Sequence, residues 1–407
     1  MRKNIELKAF NPIVLNLNMP IGSKRAEPIT FVSMAGIYIH IPFCRKACHY
    51  CNFHFSTTHH QIPAMVAAIE KEAILQKHYL KENIKTLYFG GGTPSILSIE
   101  DLEKIMFRVK SEYIIEPTAE ITIETNPDDF QIEKLEAWKR MGINRLSIGI
   151  QSFVDADLQW MNRAHSSQQA EQCISMAKEA GFDNITIDLI YGTPTLSDEA
   201  WKANVNKAIE LGIDHISCYA LTVEPKTGLD KMIQQKKIEA VDPDKQARHF
   251  SLLMQWLAEA GFEHYEISNF SKPGKRSKHN SNYWNGVDYL GIGPSAHSFN
   301  GTSRQWNIAN NALYIQSLNN NEVPYELEML TPMQQLNEYI MTSLRTMEGL
   351  SLEKVRTHWS DHEMDQILQI AKQSIKLGWM IHQHAHLILT NEGRLMADGI
   401  ASDLFFV

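Results

Sequence analysis

What most restricts this chain is a regular alternation, from Gly36 onward, of short β-branched or apolar runs with longer amphipathic stretches. Six runs read as strands: residues 37–41, 86–90, 120–124, 145–150, 184–190 and 215–221. Between them lie stretches such as SIEDLEKIMFRVKSEY and QQAEQCISMAKEA, whose apolar residues recur every three or four positions and predict helices. Each helix can cover one face of a parallel sheet. A weak repeat punctuates the series: RMGINRLSI, EAGFDNITI, ELGIDHISC and EAGFEHYEI each end a helix in glycine and start a strand. Gly142, Gly181, Gly212 and Gly261 therefore suit the left-handed position that closes a helix. Six parallel strands fit either an open doubly wound sheet or a complete or partial barrel. In both, ligands gather at the carboxyl ends of the strands.

The 407 residues suffice for two domains. No run of some eighteen apolar residues suggests a membrane span. Forty-seven acidic against 39 basic side chains argue against general nucleic-acid binding by charge. Residues 1–33 form an irregular extension before Met34 and lack the apolar core of a secretory signal. From about residue 331 the pattern changes to three helices, a short β element and a last helix, the order of a winged-helix-like module.

Three of the five cysteines fall within eight residues, after the first strand, as Cys44-x-x-x-Cys48-x-x-Cys51. Such a loop in a long chain suits a metal centre in a reducing compartment. Zinc would require a fourth ligand, for which His40, His49 and His54 are candidates. A four-iron cluster held by three thiolates instead leaves one iron open to an outside ligand. Cys173, in a helical pattern, and Cys218, in a strand, read as packing residues.

A CxxxCxxC loop after a first strand resembles the signature of the radical S-adenosylmethionine (SAM) superfamily. The resemblance implies an α/β fold, a partial (β/α)6 TIM-like barrel, with a [4Fe–4S] cluster on Cys44, Cys48 and Cys51 and SAM on the fourth iron. The second strand ends in Gly90-Gly91-Gly92-Thr93-Pro94, similar to the superfamily's glycine-rich SAM-binding segment. On the same resemblance Tyr38, Tyr50, Gly91, Gly92, Thr93, Glu124, Gln151, Arg163 and Asp188 are expected to bind the cofactor. Read alone, each polar residue among them could equally be a structural strand-end group or a solvated charge.

Longer motifs narrow the match. YIHIPFCxxxCxYC, GGGTPS, IETNPDD, LSIGIQSF, YALTVEP and HNSNYWNGVDYLGIGPSAHS resemble the oxygen-independent coproporphyrinogen III oxidase family, and within it the HemW-like heme-chaperone branch. The implied layout is a core barrel over 34–270, a connecting segment over 271–330 and a mostly helical C-terminal domain over 331–407. The implied function is binding heme and passing it to apo-proteins. The alternative is oxidative decarboxylation of two propionates to vinyl groups by a 5′-deoxyadenosyl radical. Two departures tell against that alternative: Asn52-Phe53 follows Cys51 where decarboxylating enzymes usually carry another cysteine, and the oxidases' long N-terminal region is missing.

The segment His279-Asn280-Ser281-Asn282-Tyr283-Trp284 resembles a branch motif implicated in heme binding. An imidazole can ligate heme iron and aromatics can enclose a porphyrin face, so His279, Asn280, Tyr283 and Trp284 are the expected heme contacts. The other reading is a loop packed on the barrel rim. Lys272, Lys275, Arg276 and Lys278 could meet propionates. Expected partners are heme or porphyrin, heme-requiring apo-proteins including membrane respiratory enzymes, and a second copy of the chain. The expected location is the cytoplasm, with a peripheral station at the inner face of the membrane.

Overall fold

The computed structural model describes residues 35–406; the extension over 1–33 lies outside them. Six parallel strands run in chain order, each bonded to the next: β1 (Ala35–Ile41), β2 (Ile84–Gly91), β3 (Ile115–Thr125), β4 (Arg145–Gln151), β5 (Ile185–Tyr191) and β6 (His215–Ala220). All six predicted strands are present, and their common direction brings their carboxyl ends to one mouth. The four turn glycines have positive φ, as an αβ turn demands.

Strand side chains alternate between two faces. One face carries residues such as Ile37, Ile39, Leu87, Phe89, Ile123 and Ile148, fully buried against the helices in a single continuous core. Cys173 and Cys218 are buried in that core. The opposite, concave face carries Tyr38, His40, Thr86, Tyr88, Glu120, Glu124, Arg145, Ser147, Thr186, Asp188, His215 and Ser217. The inside of this half-barrel is therefore polar and aromatic, and its outside supplies the apolar burial.

The sheet continues beyond the six strands. Residues read as a connecting segment supply β9 (Asp288–Ile292), β10 (His297–Phe299), β11 (Ser303–Asn307) and β12 (Tyr325–Met329), while β7 (Glu263–Glu266) and β8 (Asn269–Ser271) come from the end of the expected core. The order is β12-β11-β10-β9-β1-β2-β3-β4-β5-β6-β8-β7, with β9 parallel to β1 and the outer strands antiparallel. Glu72, fully buried, fixes the β9 side: it accepts bonds from the Gly293 N–H (2.8 Å), Asn307 Nδ2 (2.7 Å) and the Tyr314 hydroxyl.

The C-terminal part has its own apolar core around Leu336, Ile340, Leu350, Ile367 and Leu387. Three helices (Pro332–Ser343, Leu352–His358, Asp361–Lys376) precede the hairpin of β14 (Met380–Gln383) and β15 (His386–Leu389), as the sequence order suggests, and a short strand β13 (Leu350–Ser351), between the first two helices, joins them in a small sheet of order β13-β15-β14. This part is joined to the sheet edge by backbone: Ile267 N–H donates to Arg345 O (3.1 Å) and Met347 N–H to Tyr265 O (3.0 Å). Among the described residues no helix is long and apolar enough to cross a membrane.

Candidate active site

The cysteine loop leaves β1 at the mouth and is closed at its neck, where Cys44 N–H donates to Ser56 O (3.0 Å) and Ser56 N–H to Pro42 O (2.9 Å). Other strand ends hold it down. From the β2 turn, Gly92 and Thr93 N–H donate to Ile41 O (2.9 Å) and Phe43 O (2.7 Å). A Cβ on Gly92 would stand 2.6 Å from Phe43 O, so only glycine permits this approach. From the end of β3, the fully buried Asp129 receives Arg45 Nε (2.7 Å) and Ser95 Oγ (2.7 Å). Beyond β4, Asn162 Nδ2 donates to Ala47 O (2.7 Å).

Two of the three thiols are joined through side chains. Thr93 Oγ1 donates to Cys44 Sγ (3.4 Å) and accepts from Asn126 Nδ2 (3.2 Å). Asn126 Oδ1 accepts from Arg163 Nη2 (2.7 Å), which also donates to Gly149 O (2.6 Å), while Arg163 Nη1 reaches Cys48 Sγ (3.5 Å). Burial pushes the Cys44 thiol up to about 11 and the Cys51 thiol up to about 12, and the Arg163 guanidinium opposes both shifts. Tyr50 lies in the same field; burial is the largest cause raising its phenol, and the Arg163 charge counters it.

This donor set fits a thiolate-held cluster. Three sulfurs share one loop, a cation and a hydroxyl face them, and metal binding would offset the burial that disfavours their ionised form. Each histidine considered as a fourth ligand for zinc bonds to other groups through at least one ring nitrogen. His40 uses both ring nitrogens, with the Tyr38 hydroxyl (3.1 Å) and His54 O (2.8 Å). His49 Nδ1 bonds Trp160 O (3.0 Å) and His54 Nε2 bonds Asn311 Oδ1 (2.7 Å). Among the described residues no three His, Cys, Asp or Glu side chains converge on one ion.

Below the loop, three of the expected SAM-binding residues, Tyr38, Glu124 and Asp188, line the concave face, while Tyr50, Gly91, Gly92, Thr93, Gln151 and Arg163 stand at or beyond the strand ends. Glu124 accepts the Tyr88 hydroxyl on Oε1 (2.8 Å) and the Gly91 N–H on Oε2 (3.0 Å). Burial raises its carboxyl to about 8, against the pull of those two donors. Asp188 is raised to about 6, again chiefly by burial, with the Ser217 hydroxyl and the charges of Arg163 and Arg145 opposing. Gln151 ends β4 at φ 67°, a backbone state that costs a non-glycine residue about 1–3 kcal/mol and recurs at ligand sites. Tyr38 stacks on Tyr88 at 6.1 Å. Gly91, at φ 108°, faces the His40 ring so closely that a Cβ would meet it at 2.6 Å.

Sequence reading missed Asn126, Tyr88 and Asp129. A signal existed for the first and last, since both lie in the TNPDD run that follows the third strand.

The heme expectation meets a different arrangement. His279 lies on a short helix (Lys278–Trp284) that enters the barrel from the end opposite the cysteine loop, and it is 2% exposed. Nδ1 shares a hydrogen bond with Thr86 Oγ1 (2.9 Å) and Nε2 with the Tyr283 hydroxyl (3.1 Å). With both nitrogens bonded inside the barrel, this imidazole would have to give up Thr86 or Tyr283 to meet an iron, and its buried helix differs from a loop packed on the rim. Tyr283 packs edge-on to His279 and Tyr289, Asn280 N–H donates to Ser277 Oγ (3.2 Å), and Trp284 lies under the Arg345 guanidinium. The neighbouring basic residues are also engaged: Arg276 with Glu263 and Glu348, Lys275 with Asp214, and Lys272 with Ala260 O. Lys278 is exposed.

A parallel half-barrel with a three-thiol loop at its carboxyl mouth defines a radical SAM protein, and the Radical SAM superfamily model matches residues 38–208. The Heme chaperone HemW of Bacillus subtilis is 31% identical over 373 residues, which cover 90% of this chain and 98% of that protein. The Heme chaperone HemW of Synechocystis is 36% identical, over 79% of this chain and 80% of that one. The chain belongs to the HemW heme-chaperone family. In fold it is similar to the coproporphyrinogen III oxidase HemN of Escherichia coli, with a TM-score of 0.81 and 23% identity over 92% of this chain and 90% of that one.

Proposed function

We propose that this protein is a heme chaperone on a radical SAM scaffold, which takes up heme and delivers it to heme-requiring apo-proteins. The observation that carries the reading is the near end-to-end relation to HemW of Bacillus subtilis. Cys44, Cys48 and Cys51 would hold a [4Fe–4S] cluster, and Thr93, Asn126 and Arg163 would orient its sulfur ligands and balance their charge. Tyr38, Tyr50, the Gly91-Gly92-Thr93 turn, Glu124, Gln151, Arg163 and Asp188 would bind SAM. When bound, cluster and SAM together supply one-electron chemistry at the sulfonium. The chain's own residues would exclude water there with the stacked Tyr38 and Tyr88 rings and offer carboxyl oxygens at Glu124 and Asp188. Asn280, Tyr283 and Trp284 remain candidate heme contacts. Delivery to respiratory apo-proteins at the membrane, and pairing with a second copy, belong to the same proposal.

Anaerobic purification with iron, sulfide, zinc and heme analysis, with and without SAM, tests it. A brown protein that binds heme, passes it to an apo-cytochrome and leaves coproporphyrinogen unchanged is the expected result. Zinc without iron, or no heme uptake, would overturn it. Formation of 5′-deoxyadenosine coupled to vinyl groups on coproporphyrinogen would establish the oxidase instead.

A further inference from the structure

The histidine of the HNSNYW segment is built into the floor of the barrel, and the construction leads upward to Glu124. Gly36 makes the room: a Cβ there would stand 2.8 Å from Thr86 Oγ1 and 3.8 Å from the His279 ring. The Glu120 carboxylate accepts the N–H groups of Lys278 (3.1 Å) and His279 (2.9 Å), which fixes the helix start. Thr86 and Tyr283 then fix the ring through its two nitrogens. Held this way, the imidazole lies 4.7 Å beneath the Tyr88 ring at an interplanar angle of 23°. The Tyr88 hydroxyl is one of two donors that orient the Glu124 carboxylate, and the Gly91 N–H is the other.

We propose that His279 and Tyr88 are positioning residues for the SAM pocket: His279 is the platform that sets the height of Tyr88, and Tyr88 sets the orientation of Glu124. The inference rests on the reading that SAM occupies this half-barrel. It assigns the motif histidine a role at the SAM site and none as a ligand to heme iron. Burial and the nearby Arg145 charge push the imidazole down to about 3, so the platform stays neutral across the working pH range and its two hydrogen bonds persist. A purely apolar ring could stack under Tyr88 but could not hold Thr86 and Tyr283.

The test uses the full-length protein with its cluster reconstituted anaerobically. SAM affinity is measured by equilibrium dialysis, the reduced cluster by electron paramagnetic resonance with and without SAM, and heme by absorbance titration. Tyr88→Phe keeps the stack and removes only the hydroxyl, and should weaken SAM binding up to about tenfold, the scale of one buried hydrogen bond. Its iron content and heme stoichiometry should match wild type. His279→Ala should weaken SAM binding at least as much, blunt the SAM-induced spectral change and leave heme affinity unchanged; His279→Phe should recover part of the loss by restoring the platform. Wild-type SAM affinity in both Tyr88→Phe and His279→Ala would overturn the proposal, as would loss of heme in His279→Ala with SAM binding intact. If His279→Ala fails to fold, Tyr88→Phe decides alone. A wild-type protein that takes up no SAM overturns both the SAM reading and this inference, whereas wild-type binding with unaffected variants overturns the inference only.

Discussion

Asp129 is a fully buried carboxylate whose partners define what its loss costs. One oxygen receives Arg45, the residue after Cys44, and the other receives the buried Ser95 hydroxyl. Arg45 is half exposed, so water can replace that pairing at little cost. Ser95 cannot reach water, and a stranded buried donor to a charged acceptor costs about 1.5–3 kcal/mol. Asp129→Ala should therefore destabilise the apoprotein by about 3 kcal/mol, and Asp129→Asn, which keeps an acceptor of the same size, by about 1 kcal/mol. Urea unfolding followed by circular dichroism measures both. The same variants free the first cysteine from the end of β3, so chelators should strip iron from the holoprotein faster in the order Ala, Asn, wild type. If Asn proved as damaging as Ala, or Ala left stability unchanged, the assignment of the energy to the Ser95–carboxylate bond would be refuted.

Glu124 makes stability depend on pH. Its folded value of about 8 stands above the ordinary 4.5, so the native state binds the extra proton between those values. Its contribution is fully present below about pH 4.5 and is lost as pH rises through 8; Glu124→Gln should flatten that part of a denaturation-against-pH curve for the SAM-free protein. Gly91→Ala combines a left-handed backbone with a clash on His40, and should abolish SAM uptake in equilibrium dialysis while the fold, judged by circular dichroism, persists. Glu72→Ala strands buried donors on Asn307, Gly293 and Tyr314, and should cost about 3–5 kcal/mol in urea unfolding.

The six central strands could be read from sequence because their outward residues are apolar, and three of them, β4, β5 and β6, follow turn glycines. The outer strands could not: SRQWN and YELEM are short, polar and partly exposed, so no apolar alternation betrays them. The cysteine loop was legible as spacing. Its supports were less so, because Asn126 and Asp129 work through geometry that only the ends of β2, β3 and β4 create together. The burial of His279 was hidden for a physical reason. Beside the turn SKPGKRSKH it looks like a surface residue, and nothing local reveals that Gly36, on a strand more than two hundred positions earlier, leaves it a seat.

The attachment of residues 345–347 to β7 also governs how the chain can be shortened. Those amides and carbonyls seal the last strand of a long sheet, and the same strand carries Tyr265, whose hydroxyl holds His215 in the barrel (2.7 Å). Clipping the polypeptide ahead of Arg345 would leave an unsealed border that neighbouring molecules could extend by strand addition, so the two parts should be expressed and purified as one piece.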